Sequence, residues 1–444
     1  LPVGAVVMNA NPFTLGHQYL LEKAASACSL LHLFVVSEDV SLVPFPVRFQ
    51  LVKQGISHLS NFSFSQDMEA TCRAVEALGV KTSLMGDTLT VDSRSLFAPS
   101  QAVLDCGESG STLRFLIPTA AAGGVRAEFT DRGRLPERPI GVYLDCLPQA
   151  GVACRTQGGL PLSISGALRP GVFRLPGNIS SQFITGLLLA LPILNGGSEI
   201  RLTSPLESAG YVDMTIEMMK RFGVTVTPVE NGWLVPGNQS YVPRDLAIEG
   251  DWSQAAFFLA AGALSQAQGS SILLRGLQKH STQGDRQAFS LFQRFGAKLS
   301  WEPEGLRISP GALRPIPAID ASQIPDLVPI LAVTAALCPG ITSITGAARL
   351  RIKESDRLKA VAQGVAALGG EIKELPDGLV VTGKPMLSGG RAEGCNDHRI
   401  VMAMAVASLG CEKPVEITDA QSVSKSYPGF FEDFISLGGK ADVI

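Results

Sequence analysis

The sequence predicts an α/β protein built from six similar modules, and three features of the chain support this prediction. A short amphipathic helix that ends in glycine recurs six times, with successive spacings of 72, 72, 73, 73 and 69 residues, at Gly79, Gly151, Gly223, Gly296, Gly369 and Gly438. Residues that alternate between apolar and polar follow each glycine, as is typical of strands. A second, more apolar helix lies between successive units. The module is therefore of the βαβαββ type, and six modules favour two domains of three.

The glycine-terminated helices are predicted from their last residue and from the strands that follow. Runs such as R-A-V-E-A-L-G (73–79) and M-M-K-R-F-G (218–223) place glycine where a helix C-terminus adopts a left-handed conformation. After the second of these runs, V-T-V-T-P-V-E-N-G-W-L-V (224–235) predicts a strand, a turn and another strand.

The second class of helix is apolar enough to be buried, and polar residues cluster where each one begins. These helices are predicted at Ser111 to Ala122, Ser181 to Leu194, Ser253 to Leu264, Asp326 to Leu337 and Arg399 to Leu409. Helix N-termini offer free N–H groups and the positive end of a dipole, so five of them directed at one cleft would bind anions strongly. Ordinary N-capping is the alternative explanation for any single one.

Composition bounds the class of protein. The 444 residues are 45% hydrophobic and 17% charged, which is typical of a globular protein of two or three domains. The net charge of −3 gives no electrostatic footprint for nucleic acid. Eight cysteines without a C-x-x-C pair favour reduced thiols in the cytoplasm over disulfides or zinc. The longest apolar run, 327–338, is too short to span a bilayer, so no membrane partner is expected.

The densest group of charges lies at 349–358, R-L-R-I-K-E-S-D-R-L, where four cations accompany two carboxylates. Such a mixture suits a site that binds anions and moves a proton. A solvated helix face with i,i+4 ion pairs is the alternative for an isolated run of this kind. Other polar groups near predicted helix or turn boundaries, at Arg138, 180–182, 397–399 and Lys425, favour the functional interpretation.

Seven short motifs together resemble one known family. They are R-P-I (138–140), S-S-Q-F-I-T (180–185), L-E-S-A-G-Y (206–211), I-P-D (324–326), K-E-S-D-R (353–357), N-D-H-R (396–399) and K-S-Y-P (425–428). In this order they resemble the EPSP synthase (3-phosphoshikimate 1-carboxyvinyltransferase) family, over about residues 61–444. The UDP-N-acetylglucosamine enolpyruvyl transferases, which share the fold, are a weaker match to 180–182 and 353–357.

The resemblance implies a two-domain inside-out α/β barrel that closes on shikimate 3-phosphate and phosphoenolpyruvate and transfers the enolpyruvyl group to the 5-hydroxyl. It implies neither a metal nor a cofactor, because fixed cations would stabilise the charge. A monomer without nucleic-acid partners is expected. The expected domains are an N-terminal segment at 1–60, an enolpyruvate transferase domain with the shikimate 3-phosphate site at 61–247, and a second at 248–444 with the phosphoenolpyruvate and proton-transfer residues.

Roles for individual residues also follow from the resemblance. The proton-transfer residues would be Asp326 at the attacking hydroxyl, with Glu354 and Lys353 at the methylene carbon. Phosphoenolpyruvate would be held by Arg138, Arg357, Arg399 and Lys425, with Gly110 letting backbone approach its phosphate. Shikimate 3-phosphate would be held by Ser180, Ser181, Gln182 and Ser208. His398 is expected to orient its neighbours, while Arg349 and Arg351 are left outside the site.

The first 60 residues depart from this family. They lack its P-x-S-K-S-x-x-x-R helix start, whose Lys, Ser and Arg contact both substrates. The nearby cations are Arg48 and Lys53; Arg48 is a candidate for a phosphate contact, and a surface position on the helix after Pro46 is the alternative. Instead, G-A-V-V-M-N-A-N-P-F-T-L-G-H (4–17) and the helix after it resemble the start of a nucleotidylyltransferase of the citrate lyase ligase type. In that family Thr14 and His17 would face a nucleoside triphosphate.

The chain is therefore interpreted as a chimera, made either by gene fusion or by an error of sequence assembly, in which a nucleotidylyltransferase-like βα segment replaces the first module. Three functions stay open: an enolpyruvyl transferase with reduced or lost activity, a pseudoenzyme that binds shikimate 3-phosphate, and a nucleotidyltransferase. We also expect the strand after Gly438 to lack its usual partner, with Val3 to Met8 as a candidate replacement.

Overall fold

The computed structural model describes residues 3–8, 30–35, 55–265 and 270–442. In the N-terminal part, β1 (Val3–Met8) pairs in parallel with β2 (Leu30–Val35) in a two-stranded sheet. The predicted pairing of β1 with a strand after Gly438 is not seen in the described ranges, because 439–442 contain no strand. Thr14, His17 and Arg48 lie outside the described residues.

The rest of the described chain follows the predicted modular order. The first module contains β3 (Ile56–Ser60), α1 (Gln66–Ala77), β4 (Lys81–Met85) and β5 (Thr88–Asp92). The second contains β6 (Gln101–Asp105), α2 (Gly110–Ala122), β7 (Arg126–Thr130), α3 (Gly141–Cys146), β8 (Ala153–Arg155) and β9 (Leu162–Ser165). The third contains β10 (Val172–Leu175), α4 (Ser181–Ala190), β11 (Ser198–Leu202), α5 (Ala209–Arg221), β12 (Thr227–Val229) and β13 (Gly232–Val235).

The second half repeats this order. The fourth module contains β14 (Leu246–Ala247), α6 (Trp252–Leu264), β15 (Ile272–Leu274), α7 (Gln287–Phe295), β16 (Lys298–Glu302) and β17 (Gly305–Ser309). The fifth contains β18 (Ala318–Asp320), α8 (Val328–Ala336), β19 (Gly340–Thr345), α9 (Arg357–Ala367), β20 (Glu371–Leu375) and β21 (Gly378–Gly383). The sixth contains β22 (Gly390–Ala392), α10 (His398–Ala407), β23 (Val415–Ile417) and α11 (Phe430–Ser436).

All six repeat glycines have a positive φ, between 83° and 104°. This left-handed conformation is unfavourable for residues with a Cβ, so glycine ends each amphipathic helix at low cost. The predicted helix-terminating glycine is confirmed at every repeat, whereas the strand predicted after Gly438 is not formed in 439–442.

The four-stranded sheets of the described ranges share one topology, whereas the fourth module forms the three-stranded sheet β15-β17-β16 and the sixth the two-stranded sheet β22-β23. In the second module the order is β6-β7-β9-β8, with β6 parallel to β7 and the remaining pairs antiparallel, and the third and fifth modules repeat it. In the first sheet, β14 of the fourth module supplies the edge strand and pairs with β3. The strands from β3 onward stay in separate sheets and do not close into one continuous barrel in the described ranges.

The apolar helices lie inside these sheets. Every residue of α8 and of α10 is buried, whereas β4 exposes four of its five residues. Burying helices and exposing sheets is the predicted inside-out arrangement, and the predicted fold is confirmed.

Buried apolar residues form two clusters. The first, the N-terminal core, runs from Leu59 to Ile248, and the second, the C-terminal core, runs from Trp252 to Phe434. Only 249–251 separate the two along the chain. The domain boundaries at 60 and 247 stay predictions.

Candidate active site

A cleft with a volume of about 160 Å³ lies between the two cores. Residues at or beside the N-termini of all five apolar helices line it, including Ser111, Ser181, Asp251, Asp326 and His398. The five helix starts that the sequence pointed out therefore converge on one cavity. Several of these helices are also capped by a side chain at their N-terminus. The N-cap residues Ser180, Asp251 and Asp397 each accept a hydrogen bond from a backbone N–H of the first turn.

Most of the residues named from the sequence line this cleft. Those that do are Arg138, Ser180, Ser181, Gln182, Ser208, Asp326, Lys353, Glu354, Arg357 and Arg399. Gly110 and Lys425 lie beside it instead, and each acts through a neighbouring charged side chain.

Gly110 makes room for Arg138. A Cβ at Gly110 would stand 2.6 Å from the Cζ and Nη1 atoms of Arg138, so the guanidinium occupies the space that the missing side chain leaves. Arg138 in turn lies 3.3 Å from the Glu354 carboxylate across the cleft. Gly110 thus makes room for a cation, and the approach of its backbone to a substrate phosphate stays a prediction.

Lys425 bridges the two cores. Its Nζ donates to Glu108 Oε2 at 2.6 Å and to the carbonyl oxygen of Asn396 at 2.8 Å. The ammonium is buried, and a partner on each core fixes its position at the edge of the cleft.

Three cations surround the carboxylate of Asp326 at the cleft. Arg357 Nη1 donates to its Oδ1 at 3.0 Å, Lys353 Nζ lies 3.7 Å from the same oxygen, and Arg399 Nη2 reaches Oδ2 at 3.4 Å. Burial opposes ionisation of Asp326, but Arg399, Lys353 and Arg357 together hold its pKa well below its usual range. The carboxylate is therefore ionised at neutral pH.

Arg357 is fully buried and bonded to three carboxylates. Besides Asp326, its Nε donates to Asp397 Oδ2 at 2.8 Å and its Nη2 to Glu354 Oε2 at 2.6 Å. These carboxylates compensate a charge that would be costly to bury alone. Arg357 is accordingly fixed in one orientation facing the cleft.

The pKa values of the two remaining proton-transfer candidates are both lowered, which favours the neutral form of Lys353 but the ionised form of Glu354. Burial lowers the pKa of Lys353, which makes its ammonium a better proton donor. For Glu354 burial opposes ionisation, but Arg357, Arg138 and Lys353 hold the pKa well below its usual value. Burial also lowers the pKa of His398 to about 4, so this imidazole is neutral at physiological pH.

Ser208 has a backbone that residues with a Cβ adopt rarely, with a φ of 56°. Its N–H donates to the carbonyl oxygen of Ser322 in the C-terminal core, and its hydroxyl accepts from Arg349 Nη2 at 3.0 Å. Arg349 also lines the cleft and forms an ion pair of 2.6 Å with Glu207. Leaving Arg349 outside the cleft was therefore wrong, whereas Arg351 pairs with Asp356 and Glu374 away from it.

Arg114 is a further residue of the cleft that was not predicted from the sequence. Its Nη1 donates to Gln182 Oε1 at 2.6 Å, its Nη2 donates to the Pro139 carbonyl oxygen, and the guanidinium lies 5.1 Å from the ring centroid of Phe183. Burial, reinforced by Arg138, lowers its pKa to about 9. A single arginine within the otherwise apolar run 111–122 was the available signal.

Three further polar residues of this region were not singled out either. Asp67 lines the cleft at the start of α1, and burial together with the Glu354 charge raises its pKa to about 7. Tyr211 also lines the cleft, and its hydroxyl contacts both Asp326 and the buried Asp285. Tyr211 at least lay within the quoted motif at 206–211.

Within 55–265 and 270–442, no three His, Cys, Asp or Glu side chains are grouped to hold a metal ion. None of the helices described there combines the length and the apolar character that crossing a membrane requires.

Two families match the sequence, in different parts of the chain. The description of the first is EPSP synthase (3-phosphoshikimate 1-carboxyvinyltransferase), over residues 49–434. That of the second is citrate lyase ligase C-terminal domain, over residues 3–71. The chimeric character inferred from the sequence is therefore confirmed, and the two matches overlap at 49–71.

Individual relatives agree with the larger match. A 3-phosphoshikimate 1-carboxyvinyltransferase of Clostridium kluyveri is 44% identical over 88% of this chain and 91% of its own length, and one of Clostridium novyi is 42% identical over 93% and 94%. A solved EPSP synthase structure from Acinetobacter baumannii superposes with a TM-score of 0.75 at 25% identity, covering 91% of this chain and 95% of the other. The chain thus belongs to the EPSP synthase (3-phosphoshikimate 1-carboxyvinyltransferase) family.

Proposed function

We propose that this chain transfers the enolpyruvyl group of phosphoenolpyruvate to the 5-hydroxyl of shikimate 3-phosphate and releases phosphate. The observation that carries the proposal is the ionised carboxylate of Asp326, held among Arg357, Arg399 and Lys353 on the wall of a cleft that the two cores share. Membership of the family and relatives named for this reaction at 42–44% identity support it.

The charges of the cleft residues indicate which substrate each group of residues would bind. The cations Arg138, Arg357, Arg399 and Lys425, which line or border the cleft, would hold the carboxylate and phosphate of phosphoenolpyruvate by charge-assisted hydrogen bonds. Shikimate 3-phosphate would be held through the neutral donors of Ser180, Ser181, Gln182 and Ser208. Arg114 would act as a positioning residue, because its bond to Gln182 Oε1 fixes the amide and leaves the Gln182 nitrogen available as a donor.

Proton transfers occur at both ends of the reaction. Asp326 would accept the proton of the 5-hydroxyl as its oxygen attacks C2 of phosphoenolpyruvate. Lys353, whose pKa burial lowers, would protonate the methylene carbon as the substrate oxygen bonds to C2. Glu354, which stays ionised, would then remove a proton from the methyl group so formed, as the C2–O bond to phosphate breaks. We further propose that the protein acts as a cytoplasmic monomer with small-molecule substrates alone.

The test is release of phosphate from the two substrates, compared between the unmodified chain and Asp326→Asn. The variant should lower kcat by about 10²-fold or more, the usual contribution of a general base. Asp145→Asn is the matched control, because Asp145 is exposed on α3 and should leave turnover unchanged.

Two outcomes would contradict the proposal in different ways. Calorimetric binding of shikimate 3-phosphate without turnover would identify a pseudoenzyme, in which the absent Lys and Arg of the family's N-terminal motif are indispensable. Equal turnover by the Asp326→Asn variant would remove Asp326 from the reaction.

A second candidate function rests on the match of residues 3–71 to the citrate lyase ligase C-terminal domain. Nucleotidyl transfer through Thr14 and His17 would release pyrophosphate from ATP. Pyrophosphate release that disappears in His17→Ala would support this function, and its absence from the unmodified chain would exclude it.

A further inference from the structure

Two carboxylates approach the same hydroxyl beneath the cleft. Tyr211 Oη lies 2.8 Å from Asp285 Oδ2 and 3.0 Å from Asp326 Oδ2. Asp285 has no exposed surface, and among the described residues its Oδ1 atom has no hydrogen-bond partner. None of the roles assigned above uses Asp285.

A single phenol carries one proton and can donate it to one acceptor only. When both carboxylates are ionised, the Tyr211 hydroxyl donates a hydrogen bond to one of them, and the oxygen of the other carboxylate faces a lone pair of the Tyr211 oxygen. Both short contacts become hydrogen bonds when Asp285 holds a proton, because Asp285 then donates to Tyr211 and Tyr211 donates to Asp326. The geometry thus accommodates one extra proton between the two aspartates.

Asp326 by itself is a weak base, because three cations stabilise its ionised form. Among the described residues no cation is in hydrogen-bond contact with Asp285, and burial together with the negative charge of Asp326 raises its pKa to about 7. A proton received by Asp326 is therefore more stable on Asp285.

We propose that Tyr211 and Asp285 form a proton relay behind Asp326, with Asp285 as the final acceptor of the hydroxyl proton. This inference rests on the proposed function. The O–H bond of the substrate breaks as its oxygen bonds to C2, and the proton goes to Asp326. The proton on Asp326 then passes to Tyr211 Oη while the phenol proton passes to Asp285 Oδ2. Asp326 and Tyr211 end unchanged, and Asp285 ends neutral.

The charged and titratable groups around Asp285 come from every neighbouring element. Tyr211 belongs to α5, Asp251 precedes α6, Asp326 precedes α8 and Arg399 belongs to α10. Asp251 and Asp326 raise the pKa of Asp285, whereas Arg399 and the hydrogen bond from Tyr211 lower it. Acceptance by Asp285 requires its ionised form, so kcat should rise with pH through about 7.

The experiment combines a pH profile of kcat with ¹³C NMR titration of aspartate carboxyl carbons in the full chain. The unmodified protein should show a carboxyl signal with a midpoint near pH 7 that disappears in Asp285→Asn. In that variant kcat should fall by about 10²-fold with little change in KM, and its rise near neutral pH should vanish. In Tyr211→Phe the Asp285 signal should move to higher pH, because the phenol no longer stabilises the carboxylate.

Asp213→Asn serves as the control, because Asp213 is exposed on the same helix as Tyr211 and should keep both the signal and the profile. A wild-type pH profile in Asp285→Asn, or no signal that this substitution removes, would overturn the relay. If the unmodified chain lacks turnover, the proposed function fails, and the NMR titration alone decides whether Asp285 and Asp326 share a proton through Tyr211.

Discussion

At the scale of single residues, the cleft is organised by charges that fix one another. Arg357 contacts Asp326, Glu354 and Asp397, and each of these contacts is buried or nearly so. Because an uncompensated charge is costly inside a protein, none of these side chains can turn away without leaving a partner unpaired. Preorganised charges of this kind can stabilise a developing anion without reorganisation during the reaction.

Gly110 provides a residue-scale prediction. In Gly110→Ala the new Cβ would displace the Arg138 guanidinium, so KM for phosphoenolpyruvate should rise by about tenfold, the value of one charge-assisted hydrogen bond. The melting temperature should change little, because the end of a flexible side chain can move. Steady-state kinetics and a thermal melt measure the two quantities.

Gly141→Ala is the matched control for this substitution. Gly141, like Gly110, is the first residue of a helix, yet no non-neighbouring atom of the described part of the chain lies within 4 Å of its added Cβ. An unchanged KM in Gly110→Ala would show that Arg138 does not bind the substrate from its observed position.

At the scale of elements, a left-handed glycine ends each amphipathic helix, and the first five of these glycines are followed by strands. The sequence located all six, because the requirement for glycine is local and repeats with the module. The same reasoning found the five apolar helices, since burial on all sides leaves a visible apolar run. It could not find the pairing of Arg114 with Gln182 or of Tyr211 with Asp285, whose partners are 68 and 74 residues apart.

The repeat glycines differ in what surrounds them, which gives an element-scale prediction. A Cβ at Gly438 meets no non-neighbouring atom of the described residues within 4 Å, so Gly438→Ala should cost only the left-handed backbone, about 1–2 kcal/mol of unfolding free energy. In Gly296→Ala the Cβ would overlap the carbonyl oxygen of Ala312, so the cost should exceed about 3 kcal/mol. Denaturant titration of both variants gives the comparison, and equal costs would contradict the steric argument.

At the scale of the whole molecule, carboxylates on the N-terminal core pair with cations on the C-terminal core. Glu108 contacts Lys425 and Glu207 contacts Arg349, each at 2.6 Å. Arg349 shows why sequence reasoning fails at this scale. Its partners Glu207, Ser208 and Ser322 come from distant segments, and only the closed arrangement of the two cores places it in the cleft.

Removing these cross-cleft pairs should loosen the closed form. We expect Glu108→Gln combined with Glu207→Gln to increase the radius of gyration of the substrate-free protein in small-angle X-ray scattering. Glu69→Gln combined with Glu137→Gln is the control, because these carboxylates pair with Arg73 and Arg134 within one core. An identical radius in all three proteins would show that closure does not depend on the two cross-cleft pairs.

Because β14 of the fourth module lies in the first sheet, the connection between the two halves of the molecule begins just after this strand. Ile248 still packs in the N-terminal core and Trp252 already packs in the C-terminal core, so three residues form this connection. Such a link spans about 14 Å at most when extended. Each half of the cleft therefore encounters the other as a tethered neighbour at high effective concentration. Diluting the protein should therefore leave closure unaffected. The binding free energy of the substrates needs to supply only the difference in free energy between the open and closed forms of one chain.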